Sequence, residues 1–327
     1  MIQFQYARVI STKSAVDTVN KDANSTFIAG GTNLVDLMKR GVMTPEKLVD
    51  INNLQLKNIE SINGVTKIGA LALNAPVAEN KVILANHPLL SQALNAGASA
   101  QLRNMATVGG NIMQRTRCPY FYDTALPCNK REPESGCGAL EGFNRMHAIF
   151  GYSDKCIAVN PSDMNVAMVA LDAVVLVTGP KGDRRIPFAD FHRLPGDTPE
   201  KDNNLNKGEL ILGVEIPNGA FTKNVHYLKL RDRASYAFAL VSVAAALNMN
   251  GKTIKDVRLA MGGVAHKPWR LTEAEKALVG QTASEETFRN AANIAMTGAK
   301  GFKYNSFKIK MGGNAIVEAL KTASGMV

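Results

Sequence analysis

Aromatic residues are scarce, at 6% of 327 residues with a single tryptophan. A nucleic-acid surface normally interleaves aromatics with clustered basic residues. Here the Lys and Arg residues are scattered, so the formal charge of +10 describes a solvated basic surface, suited to acidic partners or phosphate-bearing ligands. No long hydrophobic run exists. The longest, Ala237 to Leu247, is broken by Ser242 and is too short to cross a bilayer. Met1 to Lys13 has no apolar signal core and no twin arginine. The expectation is a cytoplasmic protein, or one that reaches the periplasm only with a signal-bearing partner. The chain also lacks a G-x-G-x-x-G fingerprint, a C-x-x-C pair and any internal repeat. These absences argue against a Rossmann dinucleotide site and an ordinary structural zinc site.

What remains is ordinary globular composition, 46% hydrophobic and 20% charged, in a chain long enough for two or three compact units. The first half alternates helix and strand. Ser11 to Lys21 has helical spacing, followed by a short strand at Thr26 to Ala29, a turn at Gly30-Gly31 and a helix at Leu34 to Arg40. Ser162 to Leu171 predicts a helix after Pro161, capped by Ser162 with Asp163 in its first turn. Strands are expected at 173–178 and 210–216, with a polar loop at 196–207. A boundary near 217–223 separates a C-terminal α+β unit, strands first and helices from Thr272 onward.

Two glycine turns stand out. Ala29-Gly30-Gly31-Thr32-Asn33-Leu34 follows a strand and opens a helix, where bare backbone and free N–H groups favour phosphate. The second is Thr107-Val108-Gly109-Gly110-Asn111. Most such turns are only turns, and Asn111 can hold its own by bonding backbone. All four cysteines, Cys118, Cys128, Cys137 and Cys156, lie in one stretch rich in Pro, Gly, Arg and Tyr and without periodicity. A loop of that kind needs an organiser. From spacing alone, an iron–sulfur cluster, a zinc ion and unliganded thiols stand level.

Taken together these segments resemble the FAD-binding medium subunit of the xanthine dehydrogenase, aldehyde oxidase and carbon monoxide dehydrogenase family. The resemblance also rests on Ile68-Gly69-Ala70, Arg103 to Asn111, Pro161-Ser162-Asp163, Gly208-Glu209-Leu210-Ile211 and Gly262-Gly263-Val264-Ala265, in order along nearly the whole chain. About forty extra residues between the second glycine turn and the Ser-Asp pair hold every cysteine. There, Arg115 to Asp123 and Pro127 to Arg131, with Arg231 to Val241 further on, look like the FAD subunit of bacterial periplasmic aldehyde oxidoreductases.

The resemblance implies an α+β protein, α/β-like in its N-terminal half, with the p-cresol methylhydroxylase and vanillyl-alcohol oxidase type of FAD-binding fold. It implies an FAD-binding domain at 1–220, in subdomains of about 1–55 and 56–220 with a cysteine-rich insert at 115–158. A C-terminal domain of the CO dehydrogenase flavoprotein type would span 224–327. FAD would be held by Ala29, Gly30, Gly31, Thr32, Asn33, Leu34, Thr107, Gly109, Gly110 and Asn111. Asp163 would accept from flavin hydroxyls, and Lys229 would lie near the flavin. The four cysteines would bind a [4Fe–4S] cluster. The implied partners are a large molybdenum-cofactor subunit, a small [2Fe–2S] subunit and an electron acceptor, with neither nucleic acid nor membrane. The implied role is electron transfer in an aldehyde oxidoreductase. A related hydroxylase acting on a heterocycle or an aromatic acyl-CoA is the alternative. No catalytic acid or base is named.

Overall fold

The computed structural model describes residues 1–326 and contains three sheets. The first is small and parallel, in the order Gln5–Arg8, Lys47–Asp50, Ser25–Ile28. Helix Thr12–Lys21 connects the first and second strands in sequence. Its start is capped by Ser11, whose hydroxyl accepts from the Ser14 amide at 3.2 Å. Ala15, Val16 and Val19 form its buried face and pack with Val49, Ile51 and Leu54.

The second sheet is antiparallel, in the order Ile59–Ile62, Val65–Gly69, Leu210–Pro217, Val174–Gly179, Gly182–Pro187. Its central strands carry core residues such as Ile68, Val175, Val214 and Ile216. Gly182–Pro187 buries only Ile186 among its six residues, so its sequence has no apolar alternation to announce a strand. The short edge strands Gln5–Arg8 and Ile59–Ile62 escape sequence reading for the same reason: neither buries any residue fully.

The third sheet, in the order Trp269–Arg270, Thr253–Gly262, Val241–Asn250, Val225–Leu230, is also antiparallel. Strand Val241–Asn250 explains the longest apolar run. Val241, Val243, Ala245 and Leu247 face the core shared with helices Glu285–Ala295 and Phe307–Ser324. Ala244 and Ala246 face the opposite core, with helix Asp163–Ala170. A strand buried on both faces has no polar alternation. The run begins earlier than the strand, since Ala237 to Leu240 precede it as loop. All eight residues of helix Asp163–Ala170 are buried, so this helix is the joint between the first half of the chain and the C-terminal sheet. Among the described residues, no helix is long and apolar enough to cross a membrane.

Two histidines sit in this framework as neutral groups. His87 precedes helix Pro88–Ala96 with Nε2 3.1 Å from Asn218 Oδ1, and His192 Nε2 lies 3.0 Å from the Ile112 carbonyl. Burial pushes both imidazoles down from 6.5 to about 4. Because the folded pKa is depressed, the unfolded chain binds more protons between those values. Their contribution to stability is complete above about pH 6.5 and falls toward pH 4, at roughly 1.4 kcal/mol per unit for each group. The unfolding temperature is therefore expected to be lower at pH 5 than at pH 7. His192→Asn is expected to lessen that dependence, and an equal slope in both proteins would contradict it.

Candidate flavin cleft and thiol cavity

The two glycine turns meet in space. Gly30 lies so close to the chain before the second turn that an added Cβ would stand 1.9 Å from the Met105 carbonyl oxygen. Only glycine permits that approach. Gly31 has a φ of +70°, which lets the chain reverse between strand Ser25–Ile28 and helix Leu34–Lys39. Both turns line one cleft of about 760 Å³, whose far wall is the polar loop 200–207.

The turns differ in chemistry. In the second, the Gly109 amide donates to the Ala70 carbonyl at 2.8 Å and the Gly110 amide to the Thr107 hydroxyl at 3.1 Å. Its donors are consumed in seating the turn. In the first, no hydrogen bond among the described residues engages the amides of Gly30, Gly31, Thr32 or Asn33. Such a run of unpaired donors on a cleft wall is a cradle for an anion. The side chain of Asn33 ties the turn to the loop after the second turn. Its Oδ1 accepts from the Arg115 amide at 2.9 Å, while its buried Nδ2 has no partner. Asn111 does not bond its own turn through its side chain. Its Oδ1 accepts from the Ser162 hydroxyl at 2.7 Å and from the Gln114 side-chain amide. Ser162 also caps the buried helix by accepting from the Asn165 amide at 3.1 Å.

Asp163 and Lys229, 66 residues apart, form a buried ion pair with Nζ 2.7 Å from Oδ2. The other carboxylate oxygen accepts from the Tyr227 hydroxyl at 2.8 Å. Burial and the neighbouring Asp163 charge push the Tyr227 phenol well above its ordinary 10, so it stays protonated and donates. Asp163 borders a second, smaller cavity with Arg117, His147 and Phe238. A carboxylate has about four acceptor sites, so these partners leave capacity for a ligand hydroxyl.

The four cysteines come together. All are free, Cys128 and Cys156 buried and the others half-buried, and all four line one small cavity. Cys128 and Cys137 pair across an isolated antiparallel bridge. Burial pushes the thiol of Cys118 up to about 12 and that of Cys156 up to about 11. As bare thiols they are protonated and inert. Among the described residues no three His, Cys, Asp or Glu side chains converge as they would on a single ion.

The loop carrying them is anchored to the cleft by residues with no sequence signal as a group. Lys130, almost fully buried, places Nζ 2.6 Å from Asp202 Oδ1, and Arg115 Nε stands 2.7 Å from Asp202 Oδ2. Burial alone would raise the Asp202 carboxyl, but Lys130 and Arg115 outweigh it and hold it below the usual carboxylate range. Leu37, from the helix after the first glycine turn, packs on Phe121 and Cys128. Tyr122 donates to Asp36 of the same helix at 3.0 Å.

A cleft walled by two glycine turns, beside a buried carboxylate paired from a C-terminal sheet, is the kind of site a flavoprotein subunit needs, and the comparisons with known proteins agree. Residues 2–219 match the FAD binding domain in molybdopterin dehydrogenase, and residues 226–301 the CO dehydrogenase flavoprotein C-terminal domain. The chain belongs to the FAD-binding medium subunits of the molybdenum hydroxylase family and is an FAD-dependent oxidoreductase subunit. It is 52% identical over 280 residues to the aldehyde oxidoreductase FAD-binding subunit PaoB of Escherichia coli (strain K12), covering 85% of this chain and 86% of that one. Identity to the glyceraldehyde dehydrogenase medium chain of Sulfolobus acidocaldarius is 29% over 293 residues, 89% of this chain and 86% of the relative. Carbon monoxide dehydrogenase from Hydrogenophaga pseudoflava shares the fold, with a TM-score of 0.78 at 24% identity and 99% of each chain covered.

Removing one partner of a buried ion pair leaves an uncompensated charge, at a cost of about 3–5 kcal/mol. Lys229→Met is expected to destabilise the protein by that order, read as a lower urea midpoint. Adding Asp163→Asn should recover part of the loss. A double variant no more stable than Lys229→Met would show that the pair is not what the site depends on.

Proposed function

We propose that this chain is the electron-transfer subunit of a molybdenum-dependent aldehyde oxidoreductase. It takes electrons from a molybdenum-cofactor large subunit through a [2Fe–2S] small subunit and delivers them to an external acceptor. It holds FAD in the cleft and a [4Fe–4S] cluster on Cys118, Cys128, Cys137 and Cys156. The observation that carries the aldehyde reading is the 52% identity to an aldehyde oxidoreductase FAD-binding subunit. The cluster reading rests on four free thiols around one cavity, in the segment that resembles the FAD subunit of bacterial periplasmic aldehyde oxidoreductases.

FAD, when bound, supplies the redox chemistry, and the protein supplies position and electrostatics. The free amides of Gly30 to Asn33 would hold the pyrophosphate, with Ala29, Leu34, Thr107, Gly109 and Gly110 shaping the walls. Asn111 would act through Ser162, fixing the second turn against the buried helix. Asp163 would accept ribityl hydroxyls on its free lone pairs, beside the Lys229 amine that meets its Oδ2. Cys118, Cys128, Cys137 and Cys156 would hold the cluster as thiolates, and those bonds would help organise the loop that carries them.

Anaerobically purified protein is expected to contain about four irons per chain, with FAD that acid precipitation releases into the supernatant. Gly31→Val places a branched side chain at a φ of +70°, 3.1 Å from Val35. It should lose most of its FAD while keeping its far-ultraviolet circular dichroism. Full flavin content in that variant would show that the first turn is misassigned. Cys137→Ser should lose most of the iron yet keep at least part of its FAD. Zinc without iron, or two disulfides, would overturn the cluster reading.

A further inference from the structure

His147 stands out because the electron-transfer reading does not use it, although it touches one of the proposed ligands. It lies ten residues after Cys137 and nine before Cys156, in the loop that carries the thiols. Its Nε2 is 3.1 Å from Cys118 Sγ. The residue is only 3% exposed. Its backbone is clamped from the C-terminal unit. The buried amine of Lys308 donates to the His147 carbonyl at 3.0 Å and to the Gly263 carbonyl at 2.8 Å. Asn305 Nδ2 donates to the carbonyls of His147 and Ala148, both at 3.1 Å. The ring also borders the cavity that Asp163 lines, and its buried Nδ1 has no partner. Two side chains thus fix the main chain, and the single polar contact left to the ring is the sulfur.

We infer that His147 is a positioning residue for the proposed cluster, its Nε2–H donating to the Cys118 thiolate and raising the potential at which the cluster is reduced. The inference rests on the four-thiolate reading above. A thiolate on iron carries no proton, so the hydrogen in this contact must come from the imidazole, which fixes the tautomer with Nε2 as donor. Hydrogen bonds to ligating sulfur are among the levers that set cluster potentials, because they withdraw charge from sulfur and favour the more negative, reduced state. Cys156 Sγ accepts from the Ala158 amide at 3.4 Å, while the side-chain donor meets Cys118. A hydrogen bond to a charged group is worth enough to change the reduced-to-oxidised ratio about tenfold at a fixed potential, which is about 59 mV for a one-electron couple.

The test is a redox titration of the full chain, purified anaerobically, followed by electron paramagnetic resonance of the reduced cluster. Iron and FAD are quantified in each sample. His147→Leu removes the donor and is expected to shift the cluster midpoint to more negative potential by about that amount, with FAD content unchanged. His147→Gln keeps an N–H donor of similar reach and is expected to bring the midpoint back toward wild type. Iron lost from the Leu variant but kept in the Gln variant also supports the inference, because the N–H then holds Cys118 on the metal. A full iron complement with an unshifted midpoint in His147→Leu overturns it. Equal shifts or equal iron loss in both variants overturn it as well, since the residue then only fills space. Wild-type protein without iron overturns the cluster reading itself, a result distinct from an iron-replete protein whose potential ignores His147.

Discussion

The close approach of Gly30 to the Met105 carbonyl is the contact on which the rest of the site depends. With a Cβ only 1.9 Å from that oxygen, any other residue would push the two turns apart and open the cleft. The turns use the closeness differently. The second spends its amides on the Ala70 carbonyl and the Thr107 hydroxyl and so becomes a rigid wall. The first leaves its amides unpaired in residues that line the cleft, ahead of a short helix. A rigid wall facing a donor-rich one is a reasonable basis for holding a diphosphate-linked ligand in a single register.

From the same turn the structure reaches the cysteines. Asn33 accepts from the Arg115 amide, Arg115 and Lys130 share Asp202, and Leu37 packs on Phe121 and Cys128. The cleft and the thiol cavity therefore share supports. Burying Lys130, Arg115 and Asp202 together is costly for each alone and tolerable only because all three are paired. That network compensates for a loop whose residues bring little apolar area of their own. On the other side, Lys308 and Asn305 hold the main chain at His147, so the loop is gripped by both halves of the protein.

The C-terminal sheet is joined to the first half by small residues. Ala244, Ala246 and Ala260 meet Ala167 and Ala170 of the buried helix, which allows close packing of strand on helix. That closeness brings Lys229 and Tyr227 to Asp163. The carboxylate at the start of the helix is satisfied by the neighbouring sheet, so loosening this joint would expose an ion pair as well as a core.

Much of the framework was legible because local physics carries it. Ser11 and Ser162 cap helices as their positions suggest, and the β-rich apolar stretches at 173–178 and 210–216 mark inner strands. The two glycine turns and the family resemblance were also plain in the chain. Gly182–Pro187 was hidden because an exposed edge strand needs no apolar pattern. The sequence by itself determined the elements, the glycine turns and the presence of four thiols in one irregular stretch. Only the tertiary structure decided that those thiols share a cavity, that Asp163 is already paired with Lys229, and that Asp202 and His147 matter at all. The side-chain contacts among them join residues 29 to 87 positions apart, and periodicity encodes which face of an element is buried, not which distant side chain it will meet there.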